Sequence, residues 1–369
     1  MRIAFIALRG VPLSDGIVRV ADPIASELSK RGHEVVVYTT RNYGNRSGLY
    51  NGYTIKALHI PKLGFLEKML LTGVATFKSL GKGFDVYHFE AMGPSAFAAI
   101  PFLFHKRVVI QSHGIEYARP KWGRFAKKML RFLEKISVNK CQCLTVVSKK
   151  LERYFLSEYN KQTLYIPNFT DYPSTIEDYS TMEQFGLEPN DFYLFLNRID
   201  AGKGVHYLIN AFNKLKTSKK LAICGPISAK DPYHNHLLSL AKDNPNIVFA
   251  GFVKGAAKDT LYRNAYVCCQ SSESEGMSTS LLEMMSFGKP CLISDIEENR
   301  DVAQNNAIYF RSADEESLLE ALQYSEDHPV EIAKLGELVR QEWEKNYTLD
   351  KVADQYEEMY RGLVNGKNR

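Results

Sequence analysis

No apolar run in the 369 residues approaches the roughly 20 needed to cross a bilayer. The opening "MRIAFIALRGVP" has no uncharged apolar segment long enough for a secretory leader, so a cytoplasmic location is expected. Cysteines number only six: Cys141 and Cys143, the adjacent Cys268 and Cys269, and the isolated Cys224 and Cys291. None has zinc-type spacing, and they read as buried free thiols. Acidic residues never fall as D-x-D, glycines never as G-x-G-x-x-G, and Gly202-Lys203 is not followed by Ser or Thr. A metal-bridged diphosphate, a nicotinamide or flavin cofactor and a Walker loop are therefore all disfavoured, and no cofactor or metal is expected. Repeats and low-complexity tracts are lacking too.

What is present is 45% hydrophobic and 24% charged, enough to bury a core in about two domains. Short β-rich runs alternate with helical patterns, twice over. The first half carries "IAFIAL" (3–8), "VVVYTT" (35–40), "DVYHFE" (85–90), "RVVIQSH" (107–113) and "CLTVVS" (143–148). The second half carries "FYLFLNRI" (192–199), "KLAICGP" (220–226), "NIVFAGF" (246–252), "AYVCCQ" (265–270) and "PCLISD" (290–295). Most are nearly continuous in apolar residues, as strands buried on both faces are. Two doubly wound, Rossmann-like α/β domains follow, at 1–168 and 169–347, joined near the polar, Pro-containing stretch that begins "IPNFTDYP". An amphipathic helix is expected within 348–369.

Ligands of open α/β sheets bind at the carboxyl ends of the strands, and the chemistry-bearing residues are sought there. The first strand leads into a loop with Gly10, Asp15 and Gly16, a candidate acceptor or phosphate loop. His113 closes the fourth main strand. Arg198 ends the first strand of the second half. Lys203 is expected to open the next helix, where it would oppose the macrodipole at a cost of a few tenths to about 1 kcal/mol unless an anion offsets it.

The stretch "ESEGMSTSLLEMMSFGKP" (273–290) holds Glu275 and Glu283 eight positions apart. At the helical rise that is about 12 Å, the span from a ribose across a diphosphate to an attached sugar. One carboxylate could hold the sugar and the other the ribose, with the diphosphate over a helix N-terminus between them. On the residues alone an alternative stands equally: Ser280 and Glu283 form an S-x-x-E capping box, and Glu275 is a loop acid.

These segments together resemble the retaining glycosyltransferases of family 4, nucleotide-sugar-dependent enzymes with the two-domain GT-B fold. Glu275 and Glu283, in "EGMSTSLLEMMSFGKPCLISD", match that family's E-x7-E motif, and "NRIDAGKGVHYLINAF" is similar to its diphosphate-binding segment. The resemblance implies donor binding by Arg198, Lys203, Glu275, Gly276, Met277, Ser278 and Glu283. It implies catalytic roles for Glu275, Arg198, Lys203 and His113, the last in "QSHG" near the transferred sugar. It also implies two domains facing a cleft, with "YTLDKVADQYEEMYRGL" crossing back to the N-terminal, acceptor-binding domain. Two departures stand out. Asp15-Gly16 replaces the usual Gly-Gly pair, and Gly276-Met277-Ser278 replaces the common Gly-Phe-Gly.

The implied activity is transfer of a sugar from a nucleotide diphosphate sugar to a glycan or lipid-linked acceptor, with retention, in bacterial cell-surface polysaccharide synthesis. The rival readings are an epimerase or phosphorylase on the same fold, or a non-catalytic nucleotide-sugar-binding protein. A further expectation comes from charge. Residues 119–153 carry eleven Lys or Arg and two Glu, a local +9 within a net charge of +5. At helical spacing Arg124, Lys128, Arg131 and Lys135 form a basic row suited to anionic membrane lipid, while Phe125, Met129, Phe132, Leu133 and Ile136 are expected to pack on the sheet. No nucleic-acid-reading motif accompanies them.

Overall fold

The β-branched and aromatic runs become parallel strands buried on both faces. The computed structural model describes residues 1–6, 8–11, 16–118 and 122–366. It divides into two compact units, one of residues 1–168 with 349–369, the other of 169–348.

The first unit is built on eight strands: β1 (Arg2–Ile6), β2 (Glu34–Thr40), β3 (Gly48–Tyr50), β4 (Tyr53–Leu58), β5 (Val86–Glu90), β6 (Arg107–Ser112), β7 (Cys143–Val146) and β8 (Leu164–Tyr165). They lie in the order β3-β4-β2-β1-β5-β6-β7-β8, and only β3–β4 is antiparallel. That hairpin escapes a search for apolar runs, yet it has a turn signal. Asn51 and Gly52 sit between paired Tyr50 and Tyr53 with φ of 47° and 89°, the left-handed pair that Asn-Gly favours.

The second unit holds β9 (Phe192–Leu196), β10 (Lys220–Cys224), β11 (Ile247–Gly251), β12 (Val267–Gln270), β13 (Cys291–Ser294) and β14 (Ile308–Phe310). The order β11-β10-β9-β12-β13-β14 is parallel throughout. Strand order reverses between β9 and β12, so the loops after these two strands meet at a switch point. The cysteines are free and, except for half-buried Cys143, buried.

The helix Leu349–Val364 belongs to the first unit. Arg31 pairs with its Asp354 at 2.7 Å and Glu357 at 3.3 Å, and His33 Nε2 meets Glu357 at 3.0 Å. Arg107 reaches the carbonyls of Leu363 and Val364, which cap the helix end. On its buried face, the Tyr356 hydroxyl meets the Gln111 side-chain oxygen, and the Tyr360 hydroxyl meets His88 Nδ1 at 2.7 Å.

The helix Arg124–Asn139 packs differently from the expectation. Its buried positions are Leu130, Glu134, Ser137 and Val138. Phe125 and Phe132 stand 83% and 63% exposed, with Met129 exposed beside them, while Leu133 and Ile136 are half-buried. Polar residues occupy the inner face because each finds a partner there. Glu134 accepts from the Tyr154 and Tyr159 hydroxyls at 2.5 and 2.7 Å, and Ser137 donates to the Met92 carbonyl.

Candidate active site

At the β9/β12 switch point two loops are clipped together through backbone carbonyls. Ser271 Oγ donates to the Lys203 carbonyl at 2.9 Å, and the Glu273 N–H donates to the Gly202 carbonyl at 2.9 Å. Gly204 makes the approach possible. Its φ is +63°, and a Cβ there would lie 2.2 Å from the Ser271 carbonyl oxygen. Lys203 therefore sits not in the first α-helical turn but in a 3-10 turn, Ala201–Lys203, ahead of the helix Val205–Lys214.

This placement joins two residues 72 apart in sequence. Lys203 Nζ donates to Glu275 Oε1 at 2.5 Å, with both side chains about nine-tenths buried. The lysine is thus neither solvated nor waiting unpaired for an anion. Glu275 is its only acceptor among the described residues, leaving two of three ammonium protons for a ligand.

After Glu275 the chain passes Gly276 and buried Met277 and enters the helix Thr279–Ser286. Its N-cap is Ser278, whose hydroxyl accepts from the Leu281 N–H. The capping box at Ser280 and Glu283 is therefore absent. Ser280 instead accepts from Asn197 Nδ2 at 2.8 Å, and Ser278 donates to Gln270 Oε1 at 2.7 Å, tying the helix start to β9 and β12. Glu283 projects from the helix to Lys258 Nζ at 2.7 Å and the Tyr262 hydroxyl at 3.2 Å. Only part of the Glu275–Glu283 span is helical, so the separation reckoned from helical rise does not apply. The helix N-terminus, with its positive dipole end, lies between the two acids in sequence. Arg198, two residues beyond β9, is 79% exposed, with only a 3.9 Å contact to Asp200.

In the first unit His113 follows β6 directly, and its Nε2 meets Glu90 Oε2 at 2.8 Å at the end of neighbouring β5. Burial pushes the Glu90 carboxyl up, but the hydrogen bond with His113 and the nearby His88 imidazole outweigh it and hold the group down at about 2. Gly16 is exposed just before the helix Val18–Lys30; Asp15 lies outside the described residues. Arg124, Lys128, Arg131 and Lys135 are all exposed, although Arg131 is bonded to Glu158 at 2.5 Å. The separations in sequence hid the partners Glu90 and Lys258, though Glu90 could have been noticed as a carboxylate ending an apolar strand.

Residues 14–172 match the model of Glycosyltransferase Family 4, and residues 180–342 match that of glycosyl transferases group 1. The chain belongs to the family-4-like glycosyltransferases of GT-B fold. This glycosyltransferase is 26% identical to an uncharacterized glycosyltransferase of Methanocaldococcus jannaschii over 80% of its own length and 81% of the relative's. It is 22% identical to O-antigen chain mannosyltransferase C of Escherichia coli over 59% of its length and 65% of the relative's. Its fold is that of sucrose-phosphate synthase from Thermosynechococcus elongatus, with a TM-score of 0.82, 18% identity and 99% coverage of each chain. Among the described residues of this glycosyltransferase no helix is long and apolar enough to cross a membrane, and no His/Cys/Asp/Glu group has the makings of a metal site.

Proposed function

We propose that this glycosyltransferase moves a hexose from a nucleotide diphosphate sugar to a glycan or lipid-linked acceptor, with retention, in cell-surface polysaccharide synthesis. The observation that carries the donor reading is the Lys203–Glu275 pair beside the start of the helix Thr279–Ser286. Glu275 accepts from hydroxyls of the sugar, and Lys203, bonded to it, has protons left for the diphosphate. Exposed Arg198 adds a second cation. Negative charge grows on the departing phosphate in the transition state, and Arg198, Lys203 and the helix N-terminus stabilise it there. Glu283 holds the ribose while Lys258 and Tyr262 fix its carboxylate. Gly276, Met277 and Ser278 bring backbone close to the donor, and His113 contacts the transferred sugar. With two cations at the diphosphate and no D-x-D, transfer is independent of metal, so a chelator leaves the rate unchanged. The likeness to an O-antigen mannosyltransferase supports the polysaccharide setting.

The test begins with thermal shift against nucleotides and nucleotide sugars, since a ligand at 100 times its Kd adds about 2.7 kcal/mol. Glu283→Gln is expected to weaken bare nucleotide and nucleotide sugar alike. Glu275→Gln is expected to weaken chiefly the sugar-bearing donor and turnover. Absence of any nucleotide-induced shift, or normal nucleotide binding by Glu283→Gln, overturns the donor assignment. Donor turned over without acceptor would favour an epimerase.

The lipid-linked acceptor is supported by the helix Arg124–Asn139. Its solvent face combines Arg124, Lys128 and Lys135 with exposed Phe125, Met129 and Phe132, and a shallow groove lined by Lys128, Arg131, Phe132, Lys135, Glu158 and Tyr159 runs along it. Cations for anionic headgroups beside aromatics that enter the acyl boundary suit peripheral docking on the inner membrane face. Sedimentation with vesicles rich in anionic phospholipid checks this. Binding is expected to fall with salt, with charge reversal at the four basic positions, and with Phe125→Ser/Phe132→Ser; indifference to all three rejects the surface.

A further inference from the structure

Beneath His113 lies a buried line of polar groups that sugar transfer, as described so far, does not use. The Tyr360 hydroxyl lies 2.7 Å from His88 Nδ1. His88 Nε2 lies 3.3 Å from Glu90 Oε1, too poorly aligned for a full hydrogen bond, and Glu90 Oε2 lies 2.8 Å from His113 Nε2. Tyr360, His88 and Glu90 are at most 1% exposed. His88 and Glu90, two apart on β5, share one face of the sheet, the face that the helix Leu349–Val364 covers.

The chemistry of these groups leaves little freedom. An ionised carboxylate only accepts, so His113 must present Nε2–H to Glu90. A neutral imidazole protonated there carries a lone pair on Nδ1, which has no protein partner among the described residues. We propose that Glu90 is the positioning residue of His113, fixing its Nε2–H tautomer so that Nδ1 accepts a hydrogen bond from a substrate hydroxyl. This rests on the reading that His113 touches the sugar. Tyr360 completes the arrangement. Its buried hydroxyl donates to His88 Nδ1, which places the His88 proton on Nε2, directed towards the same carboxylate. Both imidazoles are thus held in one protonation pattern around one anion.

The arrangement also dictates what an amide at position 90 does. In Glu90→Gln the oxygen and the NH2 must be divided between two histidines. Tyr360 has no other acceptor for its proton among the described residues, so His88 keeps Nε2–H and takes the oxygen. The NH2 then faces His113 and forces its proton onto Nδ1.

Nitrogen-15 NMR of the histidine-labelled, ligand-free protein reads this directly, with the His113 signals assigned by their loss in His113→Asn. The expected wild-type state is Nε2–H at His113. Glu90→Gln is expected to convert it to Nδ1–H and to lower kcat/KM tenfold or more, while His113→Asn loses at least as much. Finding Nδ1–H at His113 in the wild type overturns the proposal without any variant. An unchanged tautomer, or unchanged turnover, in a folded Glu90→Gln protein overturns it as well. Because the tautomer is read without substrate, failure to find a donor would count against sugar transfer and leave the tautomer result standing.

Discussion

Removing Lys203 separates two electrostatic pictures. A lysine in the first turn of a helix opposes the macrodipole, so its loss would stabilise the empty protein by up to about 1 kcal/mol. The structure puts the ammonium instead against Glu275 at 2.5 Å, with side chains 10% and 11% exposed. At an effective dielectric of 20 this contact is worth roughly 6–7 kcal/mol before desolvation, and removing one partner of such a buried pair costs about 3–5 kcal/mol. For a folding unit of this size, each kcal/mol moves Tm by about 2–4 °C, so Lys203→Met is expected to lower Tm by roughly 6–20 °C. Much of that loss comes from the stranded Glu275 carboxylate. Adding Glu275→Gln removes the charge and is expected to restore most of the stability, giving a coupling energy well above the noise of a double-mutant cycle. Urea denaturation of wild type, both single variants and the double variant supplies the four energies. A Lys203→Met protein as stable as wild type, or single-variant effects that simply add, would refute the pairing.

Arg198→Ala is expected to leave Tm within about 1 °C, because the side chain is exposed and weakly paired, yet to lower kcat by orders of magnitude; wild-type rates end its assignment to the leaving group. Gly204→Ala meets both a φ of +63° and a carbonyl oxygen 2.2 Å from its Cβ, so a loss of at least about 2 kcal/mol is expected, measured by urea midpoint. Glu357 is held down at about 2, first by Arg361, against burial, and then by His33 and Arg31. A folded pKa below the unfolded value of 4.5 means stability that is complete above that pH and lost as pH falls towards 2. In Glu357→Gln the acid limb of a stability–pH curve should be shallower across that window, and an unchanged slope refutes the attribution.

The strands were legible wherever burial on both faces left a continuous apolar run, as at Ile3–Ile6 or Phe192–Leu196. The edge strands β3 and β14 were not, because β3 is largely exposed and β14 spans three residues, whereas β11, also at an edge, kept enough apolar residues to be legible. Within the site, sequence spacing picked out Glu275, Glu283 and Lys203 but not which of them touch. Their contacts depend on loops brought side by side by strand order, and β9 meets β12 across 70 intervening residues. The choice between the two readings of Glu283 was not legible, because Ser278 and Ser280 are equally good caps on paper, and Asn197 and Gln270 decide between them. The basic helix was read with the wrong side inward for a related reason. Glu134 and Ser137 are buried by virtue of Tyr154, Tyr159 and a backbone carbonyl that no periodicity reveals.

The assignment of Leu349–Val364 to the first unit bears on the order in which the molecule is made. Residues 169–348 form an uninterrupted stretch and can close as soon as they leave the ribosome. The first unit, although synthesised earlier, must wait with the side of its sheet carrying His88 and Gln111 uncovered until Tyr356 and Tyr360 arrive. Nascent chains halted before residue 349 therefore hold a finished second unit and an unfinished first one, and the apolar surface left open in that interval is where a chaperone has most to protect.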